Sequence, residues 1–280
     1  MVTPAWPASA PAGGDPVAGR AVGPPRLTAR PVGLRPRRTA RPPGRRKDLW
    51  WATVKVDAPP SWPTTVDEAE AIQEKLRSRL DLTGPGPRHP ATVAGVDVAY
   101  AGDRLVAAVV VLDGATLEVL EQVAVPGRVA FDYVPGLLAF RELPGLITAL
   151  ARLTRTPELI VCDGYGLAHP RRFGLACHLG VLTGLPTIGV GKTAYVGTYE
   201  TPGRRRGSWS ELRLGDDVVG RVLRTQDDVK PVFVSVGNRI DLDTACANVL
   251  ALCPRHRLPE TTRAADRLSR AVLSRGTVTP

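Results

Sequence analysis

Acidic residues are nearly missing from the first 47 positions. Nine arginines and Lys47 stand there against Asp15 alone, so +9 of the chain's formal +10 lies in that stretch. The rest holds 27 basic and 26 acidic side chains and is close to neutral. A folded part must therefore grip any polyanion through local patches. Residues 1–47 are also rich in Pro, Gly and Ala without periodicity, and are predicted to be a disordered basic tail. Two readings of that tail stay open: a non-specific polyanion tether, or an upstream extension of no consequence.

Cysteine is scarce and dispersed. Cys162, Cys177, Cys246 and Cys253 form no CxxC pair, which argues against a thiolate zinc site and fits reduced, buried thiols. No apolar run approaches the ~20 residues that span a bilayer. No apolar segment of a secretory signal is readable at the start. A soluble, cytoplasmic monomer with no membrane partner is expected. The segment GVGKT lacks the upstream glycine of a phosphate loop, because Pro186 occupies that position. A nucleotide kinase is thereby disfavoured. No internal repeat is present.

What is present becomes regular after Trp62. Val66, Ala69, Ile72, Leu76 and Leu80 fall at helical spacing behind the start signals Pro63, Thr64 and Thr65. Three β-rich runs follow, Thr92–Tyr100, Leu105–Leu112 and Leu117–Val125, with turn signals at Gly102–Asp103 and Asp113–Gly114. A helix is predicted over Gly136–Leu153, with Pro144 inside or breaking it. Then come a strand at Glu158–Cys162, a helix at Arg172–Leu182 and a strand at Pro186–Val190. Strands near Asp217–Arg224 and Val232–Val236 precede helices at Leu242–Leu252 and Glu260–Ser274. The alternation asks for parallel pairing with crossover helices. The order βββαβαβ, with a mixed sheet and flanking helices, is that of an α/β ribonuclease H-like domain over residues 48–280.

The run from Ile160 to Lys192 carries the chemistry. It places Asp163 at the end of a strand, where ligands gather in open α/β sheets. His169, Arg171 and Arg172 follow, with the two arginines expected to open a helix at its anion-favouring end. A second strand ends in Gly189–Gly191 and delivers Lys192. One acid, one imidazole, two guanidiniums and an ammonium suit a metal ion facing phosphate. Asp97 lies in TVAGVDVAY, among apolar neighbours that make an unpaired carboxylate expensive. Glu142, in YVPGLLAFRELP, reads by itself as a solvated helix residue paired with Arg141 or Arg152.

The chain resembles endonuclease V, a deoxyinosine-directed nuclease family of the ribonuclease H-like superfamily. Four blocks carry the likeness: AGVDVAY, YVPGLLAFRELP, DGYGLAHPRRFGLACHLGV and PTIGVGKT. The resemblance implies that Asp97, Glu142 and Asp163 hold Mg²⁺, with Mn²⁺ able to substitute. It implies that His169 and Lys192 lie at the scissile phosphate, and that Tyr133, Val134 and Pro135 form a wedge that enters the duplex. It also implies cleavage of the second phosphodiester 3′ to deoxyinosine in DNA. Two alternatives remain: a weakened relative that binds lesions without efficient cutting, and a nuclease for inosine in RNA. The first draws on departures from the family pattern. Asp132 stands where Pro is usual, Tyr165 where His or Gln is common, and Cys177 where Ser is common. Asn238 replaces a histidine implied to lie near the metal.

Overall fold

The structure is a computed structural model that describes residues 54–275. The disordered-tail and tether expectations for residues 1–47 lie outside it. The described residues form five helices and one nine-stranded sheet. Helix α1 spans Val66–Arg77, and its start signal is a full capping box. The Thr65 side chain accepts from the Glu68 backbone while the Glu68 side chain reaches back to the Thr65 backbone.

Strands β1 (Thr92–Ala101), β2 (Arg104–Asp113) and β3 (Val119–Arg128) form the expected antiparallel meander. Gly102 makes the first turn at φ 63°, a conformation glycine adopts freely. The second turn is longer than a two-residue hairpin, since Leu112 pairs with Val119. There the Asp113 carboxylate accepts from the backbones of Ala115 and Thr116, both at 2.9 Å, and holds the wider loop. Pro126 sits in β3, an edge strand, where a missing N–H is tolerated.

Helix α2 (Leu138–Leu150) keeps Pro144 inside it. Burial of Leu143, Leu146, Ile147 and Leu150 offsets the ~3 kcal/mol such a proline costs. Strand β4 (Leu159–Asp163), helix α3 (Leu175–Thr183) and strand β5 (Thr187–Gly191) follow. Beyond them lie β6 (Thr198–Tyr199), β7 (Trp209–Leu214), β8 (Asp217–Leu223), β9 (Val232–Asn238), α4 (Leu242–Ala251) and α5 (Glu260–Arg275). The sheet order is β3-β2-β1-β4-β5-β9-β8-β7-β6. Only the β1–β4 and β4–β5 pairs are parallel. The sequence pattern missed β6 and β7, because the two strands are short and their residues mostly exposed.

Side-chain parity sorts the core into two layers. Ala94, Val96, Ile160 and Cys162 face a layer with residues of α2 and α3. Val93, Val161, Ile188 and Val190 face the other layer, with residues of α4. Helix α5 lies against β1 and β2 on this second side, through Ala264 and Ala265 on Val110 and Leu112. Its approach is close. A Cβ built on Gly95 would stand 2.1 Å from the Thr261 carbonyl oxygen, so glycine is required there.

One expectation fails at α3. The helix starts at Leu175, with Gly174 as its N-cap, and not at Arg172. The preceding loop folds back on itself instead. Gly174 donates its N–H to the Gly166 carbonyl, and Arg172 takes φ 55°. Arg171 pairs with Glu70, and Arg172 pairs with Asp217 at 2.9 Å. Neither arginine is part of a helix N-terminus.

Candidate active site

Register brings two acids together. Val96 pairs with Cys162 in parallel β1 and β4, so Asp97 and Asp163 occupy the next position on neighbouring strands. Both share the parity of Val93, Val161 and Val190, the face covered by α5. Asp163 lies beside Val190 of β5, and Lys192 follows two residues later. Its Nζ reaches the Asp163 Oδ2 at 2.5 Å. The middle of β1 and the carboxyl ends of β4 and β5 thus place two carboxylates and an ammonium on one patch, where parallel strands expose their carboxyl ends.

Helices supply the other acids. Glu142 comes from α2, on the opposite layer, and accepts from the Tyr100 hydroxyl at 3.3 Å. The pairing with Arg141 read from sequence does not form. Arg141 instead donates to the Phe131 carbonyl at 3.0 Å and lies 4.7 Å from the centre of the Tyr100 ring. Burial, then the charge of Asp97, pushes the Glu142 carboxyl up to about 8. Asp97 is also raised, first by burial and then by Asp266 and Asp163, against a 2.7 Å hydrogen bond from Ser269. Asp266, on α5, belongs to the same cluster and was not found from sequence. The only hint was a helix carrying Ala264, Ala265 and Ser269 as a small buried stripe beside it.

These acids repel one another in a partly desolvated place, and a divalent cation is the chemical species that relieves such a set. Carboxylate oxygens suit Mg²⁺ or Mn²⁺. Among the described residues no three such side chains are already gathered round a single point. Two cations stand on the acids instead: Lys192 on Asp163, and Arg270 on Asp266 at 2.7 Å. Burial works to lower the Lys192 ammonium, but Asp163, Asp97 and Asp266 together hold it above its usual value. The Lys192 strand end is itself clamped. Tyr165 donates its hydroxyl to the Thr193 carbonyl at 2.9 Å, and Arg257 donates to the Lys192 carbonyl at 2.5 Å.

The chain after Lys192 leads through Thr193 to a cavity of about 280 Å³, lined in part by Tyr133, Gly136, Tyr165, His169 and Tyr195. Tyr165 and Tyr195 stack at 5.2 Å. The loop above it carries Tyr133, which is 65% exposed although its neighbours are anchored. Phe131, Leu137 and Phe140 pack with Ala69 and fix both ends of that loop. Val134 is half-buried and Pro135 exposed. Gly136 turns the loop at φ 87°, and its carbonyl accepts from Gln73 at 2.9 Å.

His169 is spent on this loop. The Arg171 N–H donates to its Nδ1 at 3.2 Å, which leaves the proton on Nε2, and Nε2 donates to the Gly136 carbonyl at 3.1 Å. Burial, opposed by that bond, pulls its pKa down to about 4, so the ring is neutral. Both nitrogens hold backbone, and a place at the phosphate is not what its bonds describe.

Asn238 corrects the expectation more sharply. It pairs with Thr187 at the start of β5, whereas Asp163 pairs with Val190. Three residues of strand put it about 10 Å from the acid row. Its Nδ2 donates to Gly180 and Leu185 carbonyls at 3.2 and 3.3 Å, and its Oδ1 accepts from the Asp81 backbone at 3.0 Å. It is a fully satisfied structural amide, remote from the carboxylates.

Likeness to known proteins identifies the family. The profile of the family described as Endonuclease V matches residues 74–267. Endonuclease V of Streptomyces avermitilis is 59% identical over 229 residues, covering 80% of this chain and 99% of that protein. A crystal structure of Endonuclease V from the same organism superposes with a TM-score of 0.76 at 58% identity, covering 81% of this chain and all of that one. A structure of Ciona intestinalis Endonuclease V, in complex with a 24mer DNA containing an inosine followed by a ribo-adenosine, gives 0.64 at 26% identity. It covers 75% of this chain and 98% of that one. The fold is ribonuclease H-like, and the chain belongs to the Endonuclease V family of nucleases.

Proposed function

We propose that this chain is a Mg²⁺-dependent endonuclease that recognises deoxyinosine in DNA and hydrolyses the second phosphodiester 3′ to it. One observation carries the reading: a carboxylate cluster holds Lys192, and the residues that follow it, Thr193 to Tyr195, line a base-sized cavity under an exposed tyrosine. Asp97, Glu142, Asp163 and Asp266 would hold the metal, whose part is to polarise phosphate and acidify water. Lys192, clamped at its backbone, stands ready to neutralise charge developing on the phosphate. Tyr133, on its anchored loop with Val134 and Pro135, wedges the base step open. The flipped base enters the cavity against Tyr165 and Tyr195. His169 keeps the Gly136 carbonyl in place and moves no proton.

The weakened-relative alternative loses its main argument, because Asn238 is structural. The test is a nicking assay on labelled inosine-containing duplex DNA and on RNA, with Mg²⁺, Mn²⁺ or EDTA. The expected result is a single nick in DNA at the second bond 3′ to inosine, lost in EDTA. Cutting at undamaged sites, or cutting in EDTA, overturns the proposal. Preferential cutting of the RNA would move the substrate to inosine in RNA.

A further inference from the structure

Helix α5 sets Arg263, Arg267 and Arg270 four and three residues apart, the spacing of one helical face. With Asp163, Lys192 and Asp266 they line a groove of about 260 Å³. A second groove of about 540 Å³ shares Lys192, Asp266 and Arg270, and runs past Asp97 to Tyr100. Neither groove has a lining residue in common with the base-sized cavity. Lys192 lines both grooves, while its successors Thr193 to Tyr195 line the cavity. The lysine therefore stands at the junction between them.

Grooves lined by Asp97, Asp163 and Asp266 would repel a phosphodiester strand. Residues 48–280 carry almost no net charge, so the attraction must be local. Helix α5 supplies it, with four arginines against Glu260 and Asp266. Arg267 reaches Glu260 at 4.0 Å and Arg270 reaches Asp266 at 2.7 Å, with side chains 61% and 74% exposed. Exposed pairs of this kind contribute at most about 1 kcal/mol. Phosphate, a bidentate acceptor for guanidinium, can take the place of either carboxylate.

We infer that α5 is the track for the DNA strand 3′ of the cut bond, with Arg267 and Arg270 holding the phosphates that follow the scissile one. The inference rests on the proposed function for its polarity. With the lesion in the cavity and the cut phosphate at Lys192, the strand must continue away from the cavity, which is toward α5.

The test measures binding of the full chain in EDTA by fluorescence anisotropy, as a function of salt. It uses inosine duplexes with a long 3′ flank or one that ends at the scissile phosphate, and matched adenine duplexes. On the long flank, Arg267→Gln with Arg270→Gln should flatten the slope of log affinity against log salt by about 1.8, since each lost phosphate contact removes ~0.9. On the short flank wild type and variant should match. Arg267→Lys with Arg270→Lys should restore most of the slope, which separates lost charge from lost fold. Equal slopes on the long flank, or an equal loss on both flanks, overturns the inference. A wild type that ignores inosine would instead overturn the proposed function, and the adenine duplexes report that independently.

Discussion

The two ends of the central strands follow opposite rules. At the start of β5, Asn238 has its two donor bonds and its acceptor bond filled by Gly180, Leu185 and Asp81. At the carboxyl end, Glu142 has one 3.3 Å bond from Tyr100 and a carboxyl pushed up to about 8. Both ends bury polar groups, but only one leaves them short of partners. A satisfied buried amide stabilises architecture, whereas crowded and under-bonded carboxylates mark a place kept ready for something that arrives.

The largest expected effect breaks the carboxyl end alone. Asp163→Asn should lower single-turnover nicking by about a thousandfold or more, because a metal's charge stabilisation is worth several kcal/mol. Binding to the inosine duplex, measured without turnover, should change little. Near-normal cutting by this variant would remove Asp163 from the chemistry.

Next comes the other end. Asn238→Ala deletes three hydrogen bonds and strands their backbone partners, so unfolding free energy should drop by about 3 kcal/mol at ~1 kcal/mol each. The nicking rate well below the melting temperature should hold. Asn238→His should also destabilise, since a Cβ built on Gly180 would already meet the Asn238 Cβ at 2.4 Å and the site has no slack. A faster nick in Asn238→His would bring position 238 back into the reaction.

His178 sharpens the comparison from a third place. It is buried on α3 between Phe140 and Phe173, with centroids at 5.1 and 5.2 Å, and burial drives its pKa down to about 3. The folded value is below the unfolded ~6.5, so the unfolded chain takes up the proton first. Its contribution is complete above pH ~6.5 and is lost as pH falls toward 3, by up to about 1.4 kcal/mol per pH unit. Denaturant titrations from pH 7 to 4 should show this slope, and His178→Leu should flatten it. An unchanged slope in that variant would point to His169, whose pKa burial also lowers, as the source.

The smallest effect belongs to the clamp on Lys192. Tyr165→Phe removes one hydroxyl bond to Thr193 and keeps the stack on Tyr195. The cutting rate should fall about fivefold, the worth of ~1 kcal/mol, with affinity for inosine DNA unchanged. Loss of affinity with an intact rate would make Tyr165 a base contact only.

Legibility from sequence followed how local each cause was. Asp163 and Lys192 were readable because strand ends and glycines announce them within a few residues. Asp97 was readable because an acid in TVAGVDVAY breaks an apolar run. Glu142 was not readable without the family likeness, since Arg141 beside it offered an ordinary partner that the fold sends elsewhere. Asp266 was invisible for a related reason. It stands four residues before Arg270 and reads as a common helix pair, which it also is. Only the docking of α5 across β1 gives it another task. Strands β6 and β7 escaped because an exposed edge needs no apolar pattern.

Gly95 sets the tolerance of the whole arrangement. Its missing side chain lets two backbones touch, with Thr261 as close to β1 as matter allows. A single methyl there would act as a shim. To regain an ordinary ~3.4 Å contact the helix would have to lift by more than an ångström, and Asp266 and Ser269 ride on it. Misplacement on that scale is enough to cost a catalytic centre about a hundredfold. The alignment of this site is thus machined by an atom that is not there, two strand residues upstream of Asp97.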